Sequence, residues 1–310
     1  MAITTSLVIP AYNEANRLGA GFERLRATLE IMGTDSTEVI IVDDGSSDDT
    51  ARVAAAVYGH LPHTQFVRQP QNRGKGAAVR LGLAIANGDF VIATDADMAI
   101  RPAHFPDFVQ RLREVAVVPG SRVKDRHIRY DSIARTVAGS TFNRFVRHYA
   151  RTSLRDTQCG AKGFQRGPGR LLGLLGLIDG FAYDAEMFYL ANRLSITVEP
   201  LSVTWDDVRG SSVSLGRDSL TMLRDIRALR STRYQNPVVE LGVDVDGHAV
   251  ADAARQARVQ GLVIARGASN ALLVLPRDGA AAGLGVAAVL HGQLRTASIG
   301  ELRGRVFDAV

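Results

Sequence analysis

Thr5 to Ile9 is a short β-rich apolar run stopped by Pro10, and it predicts a buried strand. Leu18, Phe22, Leu25 and Leu29 then recur at helical spacing, with Asn13 or Asn16 placed to cap the helix. Glu38 to Val42 predicts a second buried strand, and Ser47 or Asp48 starts a helix that runs through Val57. Thr64 to Arg68 is a third strand, Arg73 to Gly76 opens a helix through Ala86, and Asp89 to Ala93 is a fourth strand. The unit is strand, loop, helix, repeated, with acidic or glycine-rich loops at the carboxyl end of each strand. That order predicts an α/β fold: a mostly parallel sheet with helices on both faces, which binds its ligand at those strand ends.

Past Pro102 the repeat changes. Residues 103–114 read as helix and Val115 to Pro119 as strand. A long basic amphipathic helix is expected over 131–155, a strand over Cys159 to Gln165, and a helix over Phe181 to Arg193. Ile196 to Trp205 reads as strand and 215–230 as helix. Composition shifts at Asn236-Pro237, which divides the chain into residues 1–236 and 237–310. The second part reads β-α-β-β-α-β, with its second helix over Ala280 to His291 and its last strand near Leu302 to Phe307, a small α+β sandwich of unknown role.

At 310 residues, with 46% apolar and 22% charged, the chain is globular in composition. One cysteine, Cys159, excludes an intramolecular disulfide framework and fits a reducing compartment. No apolar run reaches the roughly 18 residues of a membrane span, and the first residues lack the pattern of a secretory signal. A cytoplasmic protein is expected, placed peripherally on the inner face of the membrane if it meets the bilayer at all. The net charge is +5, yet residues 101–155 alone carry twelve Lys and Arg against four Asp and Glu. Such a field attracts phosphates, whether of nucleic acid or of anionic lipid. No nucleic-acid-binding pattern accompanies it, so nucleic acid is not expected as a partner.

Four strand-end loops carry candidate chemistry. Asp95-Ala96-Asp97 sets two carboxylates one residue apart, a pattern that suits one hard cation and equally a helix cap. Asp43-Asp44-Gly45-Ser46 places an acid where ribose or a base edge is bound in dinucleotide folds, with Gly45 allowing a tight turn. Pro10-Ala11-Tyr12-Asn13-Glu14 puts an aromatic and an acid beside them. Asn72-Arg73-Gly74-Lys75-Gly76 predicts exposed backbone N–H groups and an ammonium for an anion, without the spacing of a P-loop. Together the loops imply a nucleoside diphosphate held through a divalent ion.

These motifs, in this order, resemble the family 2 glycosyltransferases of the GT-A (Rossmann-like) fold. Gly120-Ser121-Arg122, Asp156-Thr157-Gln158-Cys159-Gly160 and Phe181-Ala182-Tyr183-Asp184-Ala185-Glu186 are similar to the dolichyl-phosphate and polyprenyl-phosphate branch, in particular the β-glucosyltransferases. The likeness covers about residues 4–230 and does not extend to 238–310. It implies an inverting transfer of a hexose, glucose from UDP-glucose, to polyprenyl phosphate with Mg²⁺ or Mn²⁺. Pro10, Ala11, Tyr12, Glu14, Asp43, Gly45, Lys75, Asp95 and Ala96 would bind the donor. Asp95 and Asp97 would hold the metal. Arg122, Arg135 and Gln158 would hold the acceptor phosphate.

Asp184, Glu186 and Asp97 are the catalytic candidates. With a hydroxyl acceptor, Asp184 or Glu186 would be the general base. With a phosphate acceptor, already anionic near neutral pH, they would orient the donor sugar or the acceptor pocket. Two alternatives stand beside this reading: transfer to a soluble metabolite or glycan, and a non-catalytic nucleotide-sugar-binding regulator. Two features depart from the family. Ser212 replaces an expected lysine, leaving Arg209 or Arg217 to meet the diphosphate, and no membrane helix is expected. Helix 131–155 is a candidate anionic-membrane contact, with Phe142, Phe145, Val146 and Tyr149 supplying its apolar side.

Overall fold

The computed structural model describes residues 2–122, 143–206, 217–232, 234–241, 246–256, 262–268, 270–275 and 293–309. Arg135, residues 131–142 of the basic helix, Arg209 to Ser212 and the expected helix 280–291 lie outside them.

Seven strands form one sheet in the order β3-β2-β1-β4-β6-β5-β7. Strands β1 (Thr5–Ala11), β2 (Thr37–Asp43), β3 (Thr64–Arg68) and β4 (Phe90–Ala93) run parallel, with Val8 opposite both Ile40 and Ala93. Strand β6 (Lys162–Gln165) is antiparallel to β4 and to β5 (Val117–Arg122), and β7 (Leu201–Val203) is parallel to β5.

Alternate residues of the inner strands serve opposite faces. Leu7, Ile9, Val39, Ile41 and Ile92 pack with Leu18, Leu25 and Leu29 of α1 (Ala15–Met32), Ala54 and Tyr58 of α2 (Thr50–Tyr58), and Phe105, Phe108 and Leu112 of α4 (Phe105–Leu112). Val8, Ile40, Val42, Val91 and Ala93 pack with α3 (Lys75–Ile85), α6 (Arg166–Leu175) and α7 (Tyr183–Leu194). Burial on both faces is why β1 and β2 read as unbroken apolar runs. Neighbours β1 and β4 mark the point where the strand order reverses, and open α/β sheets bind ligands beyond the carboxyl strand ends at such a point.

Helix α6 was not anticipated. Gly167, Pro168 and Gly169 stand in its first turn, and no element was expected between Gln165 and Phe181. Those glycines serve packing: a Cβ on Gly167 would stand 1.9 Å from the Phe307 carbonyl oxygen, and one on Gly169 would stand 2.7 Å from Phe164 Cβ. The expected strand 196–205 is only β7, flanked by single bridges from Val198 to Val117 and from Trp205 to Ile100. Within the basic helix, residues 143–150 (α5) bury Val146 and Ala150 in the core, with Phe145 and Tyr149 packed against it. That part of the expected membrane-facing stripe points inward, because the sheet face already offers it apolar cover.

The C-terminal part is a five-stranded antiparallel sheet, β11-β8-β10-β9-β12, rather than the four strands expected. It comprises β8 (Gln235–Leu241), β9 (Val263–Arg266), β10 (Ala271–Val274), β11 (Gln293–Ser298) and β12 (Val306–Ala309), with α9 (Gly247–Gln256) after β8; α8 (Arg217–Ala228) precedes the sheet. Ser298 and Glu301 form a reciprocal capping box that starts the short helix α10 (Ile299–Leu302), which separates β11 from β12 and displaces the last strand beyond Leu302. One face carries Val238, Val263, Ala265, Leu272 and Val274 into the core shared with α6 and α7. The other packs Val239, Leu241, Ile264 and Leu273 on Val250, Ala253 and Ala254 of α9.

Candidate active site

The turn after β4 holds the acidic pair. Met98 N–H donates to the Asp95 carbonyl at 2.9 Å, and Ala99 N–H donates to Asp97 Oδ1 at 3.2 Å. Two glycines let neighbouring segments approach. A Cβ on Gly21 of α1 would lie 2.0 Å from the Ala96 carbonyl oxygen, and one on Gly160 would lie 2.3 Å from Asp95 Oδ2. Helix α1 and the loop 156–160 therefore close on this turn from two sides.

A chain of alternating charges runs along these strand ends. Arg17 bridges Glu14 Oε2 at 3.0 Å and Asp97 Oδ2 at 3.2 Å. Lys75 Nζ lies 2.5 Å from Asp95 Oδ1, and Lys162 Nζ lies 2.9 Å from Asp184 Oδ1 while donating to the Cys159 carbonyl at 2.6 Å. Burial opposes the charge on Asp95, but Lys75 foremost, then Lys162 and Arg17, hold its carboxyl below the ordinary range. Lys75 is raised in turn: burial is outweighed by Asp95 and Asp184. Asp97 goes the other way, raised by burial and then by the charge of Asp95, against the pull of Arg17. Burial likewise raises Asp184 and Glu14.

The loops after β1 and β2 are tied together by their own side chains. Asn13, in the left-handed region at φ 53°, accepts from Ser47 N–H at 2.9 Å, and its own N–H donates to Ser46 Oγ at 3.0 Å. Neither Asn13 nor Asn16 caps α1. Asp48 Oδ2 accepts from Ala15 N–H at 3.3 Å instead, and Thr50 Oγ1 accepts from Glu14 N–H at 2.8 Å. Asp43 is fully buried. Its Oδ1 accepts from Ser46 N–H at 2.9 Å, whereas Oδ2 has no hydrogen bond and only Arg68 Nε at 3.4 Å. Gly45, at φ 70°, brings its turn within 2.5 Å of the Gln71 backbone as measured from an added Cβ. Ala11 and Ala96 are buried, Pro10 pairs with Val42, and Tyr12 stands exposed.

Three expectations change with the geometry. The N–H groups of Gly76 and Ala77 do not await an anion: both donate to the Asp179 carbonyl, at 2.7 and 3.2 Å. Gly74 and Gly76 are small because loop 176–180 lies against them; an added Cβ would meet Asp179 O at 2.4 Å and Ile178 O at 2.5 Å respectively. Glu186 is fully engaged away from Asp95: Oε2 accepts from Leu177 and Ile178 N–H, each at 2.9 Å, and Oε1 accepts from the Tyr234 hydroxyl at 3.0 Å. Arg122 closes a fork on Asp156, at 2.7 and 2.9 Å, and Gln158 N–H donates to the same carboxylate at 3.2 Å. Cys159 is buried, which raises its thiol, and it fills space against Gly120.

Arg17, Lys162, Asp44 and Asp179 escaped sequence reasoning as site residues. Asp44 accepts from Arg73 N–H at 2.9 Å and Gly74 N–H at 2.6 Å, securing the turn that carries Lys75. A lysine at the head of a buried strand, as at Lys162, was the one available signal. Among the described residues, no third His, Cys, Asp or Glu joins Asp95 and Asp97 in a metal-ligating group.

A doubly wound sheet whose parallel strand ends gather paired carboxylates and counter-charged lysines defines an α/β protein with a site suited to an anionic ligand and a divalent cation. The model of "Glycosyl transferase family 2" matches residues 6–168, and the chain belongs to that family. A dolichyl-phosphate beta-glucosyltransferase of Drosophila melanogaster is 34% identical over 247 residues, 73% of this chain and 74% of the relative. The enzyme of the same description from Dictyostelium discoideum is 31% identical over 242 residues, 74% of each. Among solved structures, the glucosyl-3-phosphoglycerate synthase of Mycobacterium tuberculosis in complex with Mn²⁺, UDP-glucose and phosphoglyceric acid superimposes with a TM-score of 0.54. It is 21% identical, covering 73% of this chain and 78% of that one, which establishes the fold. The chain is thus a glycosyltransferase enzyme. No described helix is long and apolar enough to cross a membrane.

Proposed function

We propose that the protein transfers glucose from UDP-glucose to a polyprenyl or dolichyl phosphate, with inversion, and that residues 1–236 carry the chemistry. The supporting observation is the charge chain Glu14–Arg17–Asp97 and Asp95–Lys75, with Lys162–Asp184 beside it, at the carboxyl ends of the parallel strands. The similarity to dolichyl-phosphate beta-glucosyltransferases supplies the substrate pair.

Asp95 and Asp97 fit a hard divalent cation, Mg²⁺ or Mn²⁺: the donors are oxygens, adjacent, and partly buried. Among the described residues these two carboxylates are the candidate ligands, and the donor diphosphate and water would add to them, a common arrangement for such ions. When bound, the ion supplies Lewis-acid stabilisation of the charge that grows on the departing nucleoside diphosphate. Asp43 Oδ2, buried without a hydrogen bond, is suited to an N–H or O–H of the nucleoside. Lys75 balances the diphosphate. Asp184, neutralised by Lys162, orients the sugar, and Arg122, held by Asp156 through Nε and Nη2, turns its remaining N–H groups to the acceptor phosphate. The phosphate is itself the nucleophile, so no general base is required, and Glu186 supports a loop instead of moving a proton. A lipid acceptor places turnover at a membrane surface; exposed Arg144, Arg147 and Arg151 on the 143–151 segment supply attraction to anionic head groups.

The test uses UDP-glucose labelled in the sugar, Mn²⁺ or Mg²⁺, and polyprenyl phosphate. Label is expected in the organic phase, with none for Asp97→Asn. Label that stays aqueous with every lipid phosphate overturns the acceptor assignment, and label retained by soluble phosphate or hydroxyl acceptors then identifies the alternative.

A further inference from the structure

Nothing in the family likeness gives a role to the C-terminal sheet, yet it grips the donor side of the site. Tyr234, the residue before β8, holds loop 176–180, between α6 and α7, through Glu186, while β8 itself bonds the last turn of α6. Asn236 of β8, fully buried, donates from Nδ2 to the Leu174 carbonyl at 3.2 Å and to Leu275 O at 3.0 Å. Tyr234, 4% exposed, donates its hydroxyl to Glu186 Oε1. The other oxygen of that carboxylate takes the N–H groups of Leu177 and Ile178. The loop then meets α3: Asp179 O receives Gly76 and Ala77 N–H, Ile178 O receives Arg80 at 2.6 Å, and the Asp179 carboxylate pairs with Arg80 and Arg73. Glycines on both sides of Lys75 allow this approach, and Lys75 ends on Asp95.

We propose that Tyr234 is a positioning residue for the donor site: acting through Glu186, it holds loop 176–180 against the first turn of α3 and so fixes where Lys75 stands. The C-terminal sheet is a buttress of the active site, and its removal from the rest of the chain would free that turn. This rests on the reading of Lys75 as a donor ligand only for its effect on binding. The mechanical link is independent of it.

Tyr234→Phe in the full chain deletes one hydroxyl and no packing. Tyr58→Phe is the control, since it deletes an equally buried hydroxyl that donates to Leu18 O at 2.9 Å on the opposite face of the sheet. Amide hydrogen exchange is followed for peptides covering 74–78 and 176–180, and binding of UDP with Mn²⁺ by calorimetry. For Tyr234→Phe, exchange in both peptides is expected to quicken about tenfold, as for loss of a hydrogen bond to a charged group, with β1 and β2 unchanged. UDP affinity falls about fivefold by the same reasoning, appearing as a raised KM for the sugar nucleotide at constant kcat. Tyr58→Phe leaves all of these at wild-type values. Unchanged exchange at 74–78 in Tyr234→Phe, or equal quickening in Tyr58→Phe, overturns the proposal. If the wild-type protein binds no UDP, the donor reading falls while the exchange result still judges the link.

Discussion

Two glycines on one helix make a matched pair for asking how closely the acidic turn is set. Gly19 and Gly21 both lie in α1, yet a Cβ at Gly19 meets nothing within 4 Å, while one at Gly21 would stand 2.0 Å from the Ala96 carbonyl oxygen and 3.5 Å from Asp97 Cα. Alanine is worth about 1 kcal/mol over glycine inside a helix, so Gly19→Ala should stabilise by about that much. Gly21→Ala carries the same gain but must open a gap of about 1 Å between two backbones, an overpacking that costs about 1–3 kcal/mol. The net is a loss of up to about 2 kcal/mol, or roughly 4–8 °C in Tm for a domain of this size.

The displacement matters more than the stability. Arg17, one turn earlier on α1, is the residue bonded to Asp97, so helix and carboxylate part together. A misplacement near 1 Å in a reacting constellation costs about 100-fold. Thermal melts and kcat/KM on purified Gly19→Ala and Gly21→Ala provide the assay. If the two variants melt together and turn over equally, the close approach of α1 to the 95–97 turn is not what positions the carboxylates, and that reasoning is wrong.

Asp184 and Lys162 form a buried pair, with side chains 7% and 2% exposed. Asp184→Leu or Lys162→Met alone should cost about 3–5 kcal/mol by stranding a charge, and the double variant far less than the sum; urea titration measures the cycle, and additive losses would contradict a coupled pair. Asp97 should destabilise the ligand-free protein at neutral pH. Burial first, then Asp95, raises its folded-state carboxyl above the ordinary value, so the folded form binds the proton more tightly than the unfolded one. Stability from this group is therefore greatest at low pH and declines as pH rises through the folded value. Melting curves from pH 4 to 8 without divalent ions should show Asp97→Asn with a flatter profile and a higher neutral-pH Tm, while Mn²⁺ binding to the wild type weakens as pH falls through that same raised value.

The unbroken apolar runs of β1, β2 and β4 made the parallel sheet legible, because a strand covered on both faces has no choice but such a run. The acids at their ends were legible for the same reason: polar residues closing such runs must lie at the sheet edge. Helix α6 was hidden by Gly167-Pro168-Gly169, residues chosen for contact with β12 and Phe164 rather than for helix propensity. The glycines around Lys75 looked like an anion cradle, and the same small residues serve a neighbouring loop. Glu186 looked catalytic from its place beside Asp184, but residues two apart on a helix point to nearly opposite sides, and it faces Tyr234.

What the chain settles alone is therefore the set of local commitments: strand, turn, cap, and which acids finish which strand. Those follow from periodicity and backbone preference within a few residues. Partnership is decided only in three dimensions. That Arg17 joins Glu14 to Asp97, that Lys162 neutralises Asp184, and that the C-terminal sheet steadies α3 all depend on segments far apart in sequence meeting in a low-dielectric interior, where each charge must find its counterpart and no one-dimensional spacing records which one it finds.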